Sequence, residues 1–223
     1  MFRREEVERI LEQARRIDPR LEMFGASNHQ YRLGLPVDLT FVRSIEEEYH
    51  FQFPEDYVQF ITEVGDGGAG PGYGLYPFGY YSTEAESTKE TKTREIYLHG
   101  LGRELQLLPV DPEWLKNFCI SKEDYKKNPE KYFQGSRGSF NWHNDVLYGP
   151  YGFFHLGTYG CWRNFGLITA GERRGQVFIH DTEGAFELEA SSFQAFYQDW
   201  LDFILDTEQF QEELKAWKRI RNR

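Results

Sequence analysis

The stretch that most limits what this chain can fold into runs from Ile45 to Phe78. There a glycine-dense segment, Gly65-Asp66-Gly67-Gly68-Ala69-Gly70-Pro71, follows an amphipathic pattern and precedes an aromatic one. Pro54 suits the first turn of a helix, where its missing N–H would have no partner anyway. Glu55 and Asp56 then place negative charge where the helix dipole is positive. Tyr57, Phe60, Ile61 and Val64 fall at i, i+3, i+4 and i+7, which makes one apolar stripe. Gly65 is expected to end that helix in a left-handed C′ conformation, which costs glycine nothing. Leu39, Val42, Ile45 and Tyr49 mark a preceding helix at similar spacing, and Tyr73–Phe78 reads as a first strand.

The glycine run matches G-x-G-x-x-G literally. A dinucleotide site needs a strand before that run and a helix after it, so that the pyrophosphate meets a helix N-terminus. Here the order is inverted. No Lys-Ser/Thr follows, so a P-loop fails as well. The run is expected to reverse the chain and to let another backbone come close.

Elsewhere the pattern alternates between helix and strand signals. Residues 3–17 read as a helix with Val7, Ile10, Leu11, Ala14 and Ile17 on one face, ended by Asp18-Pro19. A short strand is expected at Gln30–Leu33. From Gly152 onward, Phe153–Leu156, Phe165–Thr169 and Gln176–His180 read as strands, with hairpin turns at Gly171–Gly175 and Thr182–Gly184. Phe186 and Leu188 are expected to point inward, with Glu187 and Glu189 outward, on a half-buried outer strand. Ser191-x-x-Gln194 reads as a capping box that opens a helix with Phe193, Phe196, Tyr197, Trp200 and Ile204 on its inner face. A last helix, Glu208–Arg221, has the stripe Phe210, Leu214 and Trp217. The expected class is α+β: a single domain with a mainly antiparallel, twisted sheet packed by helices.

The 223 residues carry a formal net charge of −10 and 17% aromatic side chains. Such a charge suits solubility, attraction to a basic partner, or both. It argues against nucleic acid as the main ligand, since phosphate binding needs a basic face. Residues 111–150 interleave Lys and Arg with aromatics, a pattern that can stack bases. It is equally the pattern of rings packed on a sheet beneath solvated lysines, which the acidic remainder favours. Two cysteines, Cys119 and Cys161, make no disulfide framework and no zinc knuckle. The start, MFRREEVERILEQARR, has no apolar h-region, and no apolar run approaches the roughly 20 residues of a membrane span. A cytoplasmic location is therefore expected.

Catalytic constellations are sparse. His143-Asn144-Asp145 could supply two metal ligands, and His155, His180 and Cys161 could join them in space, which would suit a metal-dependent hydrolase. No spacing forms a recognised metal motif, so each also reads as an ordinary strand or loop residue. Cys161 reads as a small buried strand residue rather than a nucleophile. No catalytic residue, metal or cofactor is assigned.

The order of blocks resembles the SUKH superfamily, most closely the Smi/Knr branch of fungal cell-wall regulators and bacterial toxin-immunity proteins. The residues that carry it are Phe53-Pro54-Glu55-Asp56-Tyr57, the run from Gly65 to Phe78, the lead-in His29–Leu33 with Pro36, Gly160-Cys161, Leu167–Asp181 and Ser191–Leu205. The resemblance spans most of residues 24–205. It implies a SUKH-like domain over 24–223, with residues 1–23 as a helical extension and an insertion around 82–150. It further implies a non-enzymatic module that docks another protein: an immunity protein facing a basic toxin domain, or a regulatory scaffold. The interface candidates are Asp66, Tyr73, Tyr76, Tyr159, Trp162 and Asp181. For Tyr73, Tyr76 and Trp162, plain core packing is an equal reading.

Overall fold

The computed structural model describes residues 2–49, 52–78, 119–121, 153–161, 163–169, 173–180 and 186–221. The readings at 82–95, Leu105–Val110, His143, Asp145, Trp162, Asp181 and Thr182–Gly184 lie outside them, as does most of 111–150.

The class is α+β. Helices α1 (Arg4–Ile17), α2 (Ala26–His29), α3 (Leu39–Tyr49) and α4 (Glu55–Gln59) precede the sheet, and α5 (Phe193–Leu205) and α6 (Thr207–Arg221) follow it. The strands are β1 (Cys119–Ser121), β2 (Phe153–Gly160), β3 (Arg163–Ile168), β4 (Val177–His180) and β5 (Phe186–Ala190). They lie in the order β1-β5-β4-β3-β2. β2 to β5 form the expected antiparallel meander, while β1, from the middle segment, pairs parallel with β5.

One continuous core joins α1, the helices around the glycine run, the sheet and the closing helices. Its centre is aromatic: Phe53, Phe60, Phe78, Phe154, Phe193 and Tyr197 are all buried. Most of their rings meet edge-on or tilted, as in the Phe53–Phe154 pair at 4.8 Å and the Phe60–Tyr197 pair at 4.5 Å, while Phe193 and Tyr197 stack at 6.1 Å. Such pairs add about 0.5–1.5 kcal/mol each beyond area burial. Val7, Ile10, Leu11 and Ala14 carry α1 into this same core. The Arg4 guanidinium ties the helix down further, donating to Val64 O at 2.7 Å and Gly34 O at 3.1 Å.

Local expectations give way at several points. Pro54 is the N-cap, extended at ψ 134°, and its carbonyl accepts from Tyr57 and Val58 N–H. After Gln59 the helix widens into a π-turn, Phe60–Val64. Phe60, Ile61 and Val64 are buried along it. Gly65 is not left-handed: its φ of 175° is extended backbone. Tyr73–Phe78 and Gln30–Leu33 are not strands but make single bridges, Leu33 to Gly68, Gly68 to Leu75 and Leu75 to Gly157. The cap of α5 is Ser192, one residue past the expected Ser191, and its hydroxyl accepts from Ala195 N–H at 3.0 Å. Gln194 N–H instead donates to the Asp56 carboxylate at 3.0 Å, which joins two helix starts.

β5 is also corrected. It is an inner strand between β1 and β4, and Glu187 is buried while Leu188 is only partly so. The register explains the reversal. Glu187 stands opposite Ile179, which stands opposite Phe165, and Phe165 packs on Phe196 of α5. Glu187 therefore lies on the helix-covered face, where Arg163 meets its carboxylate at 3.4 Å.

Candidate functional site

The glycine run is spent on packing. Gly68 has φ +92°, and a Cβ there would strike the Arg32 carbonyl oxygen. Its N–H donates to Leu75 O, while the neighbouring Ala69 N–H donates to Arg32 O. Three backbone segments thus meet at one residue. Tyr197 closes the arrangement from α5, its buried hydroxyl donating to Ala69 O at 2.9 Å. Asp66, expected at an interface, is buried, and its carboxylate accepts from Phe78 N–H at 2.5 Å. That bond holds the two ends of the loop together.

Where the run ends, space opens. Pro71 and Gly72 form one wall of a cleft of about 340 Å³ whose other walls come from the Met23–Phe24 loop, the ends of β2 and β5, and helices α5 and α6. Gly72 has φ +59°, and a Cβ there would press on the Thr158 carbonyl and the Tyr159 ring. The cleft is walled by Phe24, Tyr159, Phe196, Trp200, Phe203 and Trp217. Three carboxylates, Glu189, Asp199 and Glu213, stand among them.

Two of these residues reach the cleft through irregularities in the sheet. On β2, Thr158 pairs with Asn164 and Gly160 with Arg163, so Tyr159 is an extra residue without a cross-strand partner. On β5, Ala190 pairs with Val177 and Leu188 with Phe178, so the register with β4 steps over Glu189. Bulges of this kind re-aim side chains at strand ends. The two then meet, with the Tyr159 hydroxyl 3.4 Å from Glu189 Oε1. Burial, followed by the Glu189 charge and hydrogen bond, pushes the Tyr159 phenol above its usual range, with Arg163 acting weakly the other way. Tyr159 therefore stays neutral.

The opposite wall is held from below. The Asp18 carboxylate accepts from Glu22 N–H at 2.8 Å, Met23 N–H at 3.0 Å and the Tyr31 hydroxyl at 3.1 Å. This pins the loop that presents Phe24, which stacks on Trp217 with ring centres 4.9 Å apart. Tyr73 also meets Phe24, tilted, with ring centres 5.0 Å apart. His29 Nδ1 accepts from Tyr31 N–H at 3.0 Å, and its ring meets Trp200 edge-on at 5.9 Å. Burial lowers the His29 pKa to about 4, against a smaller opposing pull from Asp18, so the imidazole is neutral at pH 7.

Of the interface candidates, Tyr159 lines the cleft and Tyr73 borders it through Phe24. Asp66 and Tyr76 do not line it, and Tyr76 N–H is bonded to Leu156 O at 2.7 Å. The spacing of the sequence missed Phe24, Glu189, Asp199 and Glu213. A usable signal was Glu213 four residues before Trp217 on the last helix, a spacing that sets the carboxylate beside the ring. His155 and His180 sit on β2 and β4, separated by β3, in rows opposite Gly166 and Asn164 respectively. Among the described residues no three His, Cys, Asp or Glu side chains gather as metal ligands would. Among them, too, no helix is long and apolar enough to cross a membrane.

Compared with known proteins, the chain matches no family model, no curated protein and no solved structure.

Proposed function

We propose that this chain is a non-enzymatic protein-binding module, an immunity-type protein that neutralises a basic toxin domain in the cytoplasm by docking it on the acidic, aromatic cleft. The observation that carries this reading is the cleft itself: six aromatic side chains and three carboxylates around about 340 Å³. Aromatic anchors with a polar rim are what protein interfaces concentrate. The net charge of −10 steers a basic partner toward it. The resemblance of the glycine run and the closing helix to Smi/Knr proteins supports the same assignment.

The test is co-expression with the products of neighbouring genes, followed by affinity capture at low and high salt. The expected result is a stoichiometric complex with a basic protein, weakened by salt, that suppresses that protein's toxicity. A neighbouring toxin whose activity is unchanged by excess of this protein would overturn the reading.

A further inference from the structure

We infer that the cleft is a receptor for one arginine side chain of the partner, an inference that rests on the protein-binding reading and names what its central pocket takes. The first reason is unbalanced charge. Asp199 on α5 and Glu213 on α6 flank the cleft, and among the described residues neither has a hydrogen bond or ion pair. The cations nearby are engaged elsewhere: Lys218 meets Glu22 at 2.9 Å, and Arg163 meets Glu187 at 3.4 Å. Carboxylates from two helices thus face one space, and among the described residues no cation pairs with either.

The second reason is the lining. Phe24 and Trp217 stack with planes 21° apart, and Trp200 and Tyr159 add further ring surface. An aromatic face attracts a cation through its quadrupole. An apolar ligand would leave the carboxylates without a counter-charge, and an anion would be repelled. A cation satisfies both features of the lining at once.

The third reason selects arginine. A guanidinium is planar, weakly hydrated and able to stack on a ring while donating sideways to carboxylates. An ammonium is a compact, strongly hydrated point charge that does not match flat walls as well. The volume of about 340 Å³ sits at the low end of ligand pockets, which suits one long side chain and the backbone that carries it. The stem would lie along Phe196 and Phe203, and the head between Asp199, Glu213 and the Trp217 ring.

The test is an NMR titration of the full 15N-labelled chain with a blocked Gly-Arg-Gly peptide, set beside the same peptide carrying citrulline or lysine. Citrulline keeps the shape of arginine and removes its charge. The indole signals of Trp200 and Trp217 should shift saturably with the arginine peptide, more weakly with lysine and not with citrulline. The double variant Asp199→Asn/Glu213→Gln, at two exposed positions, should keep a folded spectrum and lose about tenfold in affinity. Equal binding of citrulline, tighter binding of lysine, or undiminished binding by the double variant would overturn the inference. The two readings fail separately. A basic partner held equally well by the double variant would end the arginine receptor and leave the docking function standing. Arginine-peptide binding by a chain that leaves its neighbouring toxin active would do the reverse.

Discussion

The glycine run and the cleft share Pro71 and Gly72 as a border, yet they are built by opposite rules. In the run, small residues let backbones approach until they hydrogen-bond one another. Gly68 bonds Leu75 in both directions, and Ala69 gives its N–H to Arg32 and its carbonyl to Tyr197. In the cleft, large rings keep the chain apart, and two carboxylates stand without an internal partner among the described residues. A segment whose backbone groups bond one another has less to offer a ligand. The region with surplus charge and open aromatic surface is the one equipped to bind. The glycines, though the most visible feature of the sequence, act as scaffold for the space beside them.

Three measurements would break or sharpen this contrast. The largest effect is expected from Gly68→Ala. The new Cβ meets the Arg32 carbonyl oxygen, and the φ of +92° is one that alanine adopts poorly. A loss of about 3–5 kcal/mol is expected in urea unfolding, because strain and a broken backbone junction add. A change of only a few tenths would mean the run is not a packed junction.

The second effect runs through His29, which touches both regions: its Cβ lies beside Gly74 and its ring against Trp200. Its pKa is about 4 when folded and 6.5 when free. The unfolded chain therefore takes up the proton first, and stability falls as pH drops through 6.5 toward 4. The loss contributed by this group is at most about 3 kcal/mol. Urea midpoints at pH 7.5, 5.5 and 4.5 should show that slope, and His29→Gln should flatten it. An equal slope in the variant would place the acid sensitivity elsewhere.

The smallest effect is expected from Tyr197→Phe, which removes the hydroxyl on Ala69 O and leaves that carbonyl short of one partner. About 1–2 kcal/mol should be lost in thermal or urea unfolding, with the arginine-peptide affinity unchanged. Weakened peptide binding would show that the run and the cleft are mechanically coupled.

Helices were the most legible part of the sequence. Val7, Ile10, Leu11 and Ala14 repeat with the helical period and are all buried, as are Phe193, Phe196, Tyr197 and Ile204. Strands β2 to β5 were legible from short apolar runs between turns. Less legible were features that depend on a neighbour. Alternation puts Glu187 outward, but its register opposite Ile179 and Phe165 places it on the helix-covered face. Ser191 matched a capping pattern, but Asp56 took the N–H that the pattern would have used and Ser192 became the cap. Tyr159 was named from the sequence, whereas Glu189, its hydrogen-bond partner, was not, because a bulge has no periodic signature.

By itself, then, the order of residues determined the long helices and their buried sides and placed strands β2 to β5, because periods of 3.6 and 2 are local properties of the backbone, while the buried side of β5 and the bridges at Leu33 and Leu75 were set by their neighbours. Only the tertiary structure decided where those pieces fail to fill the space between them. Asp199, Glu213 and Glu189 lie on three different elements and are ordinary by composition. They become a site because two helices and a displaced strand residue bring their charges around one unfilled, ring-lined volume.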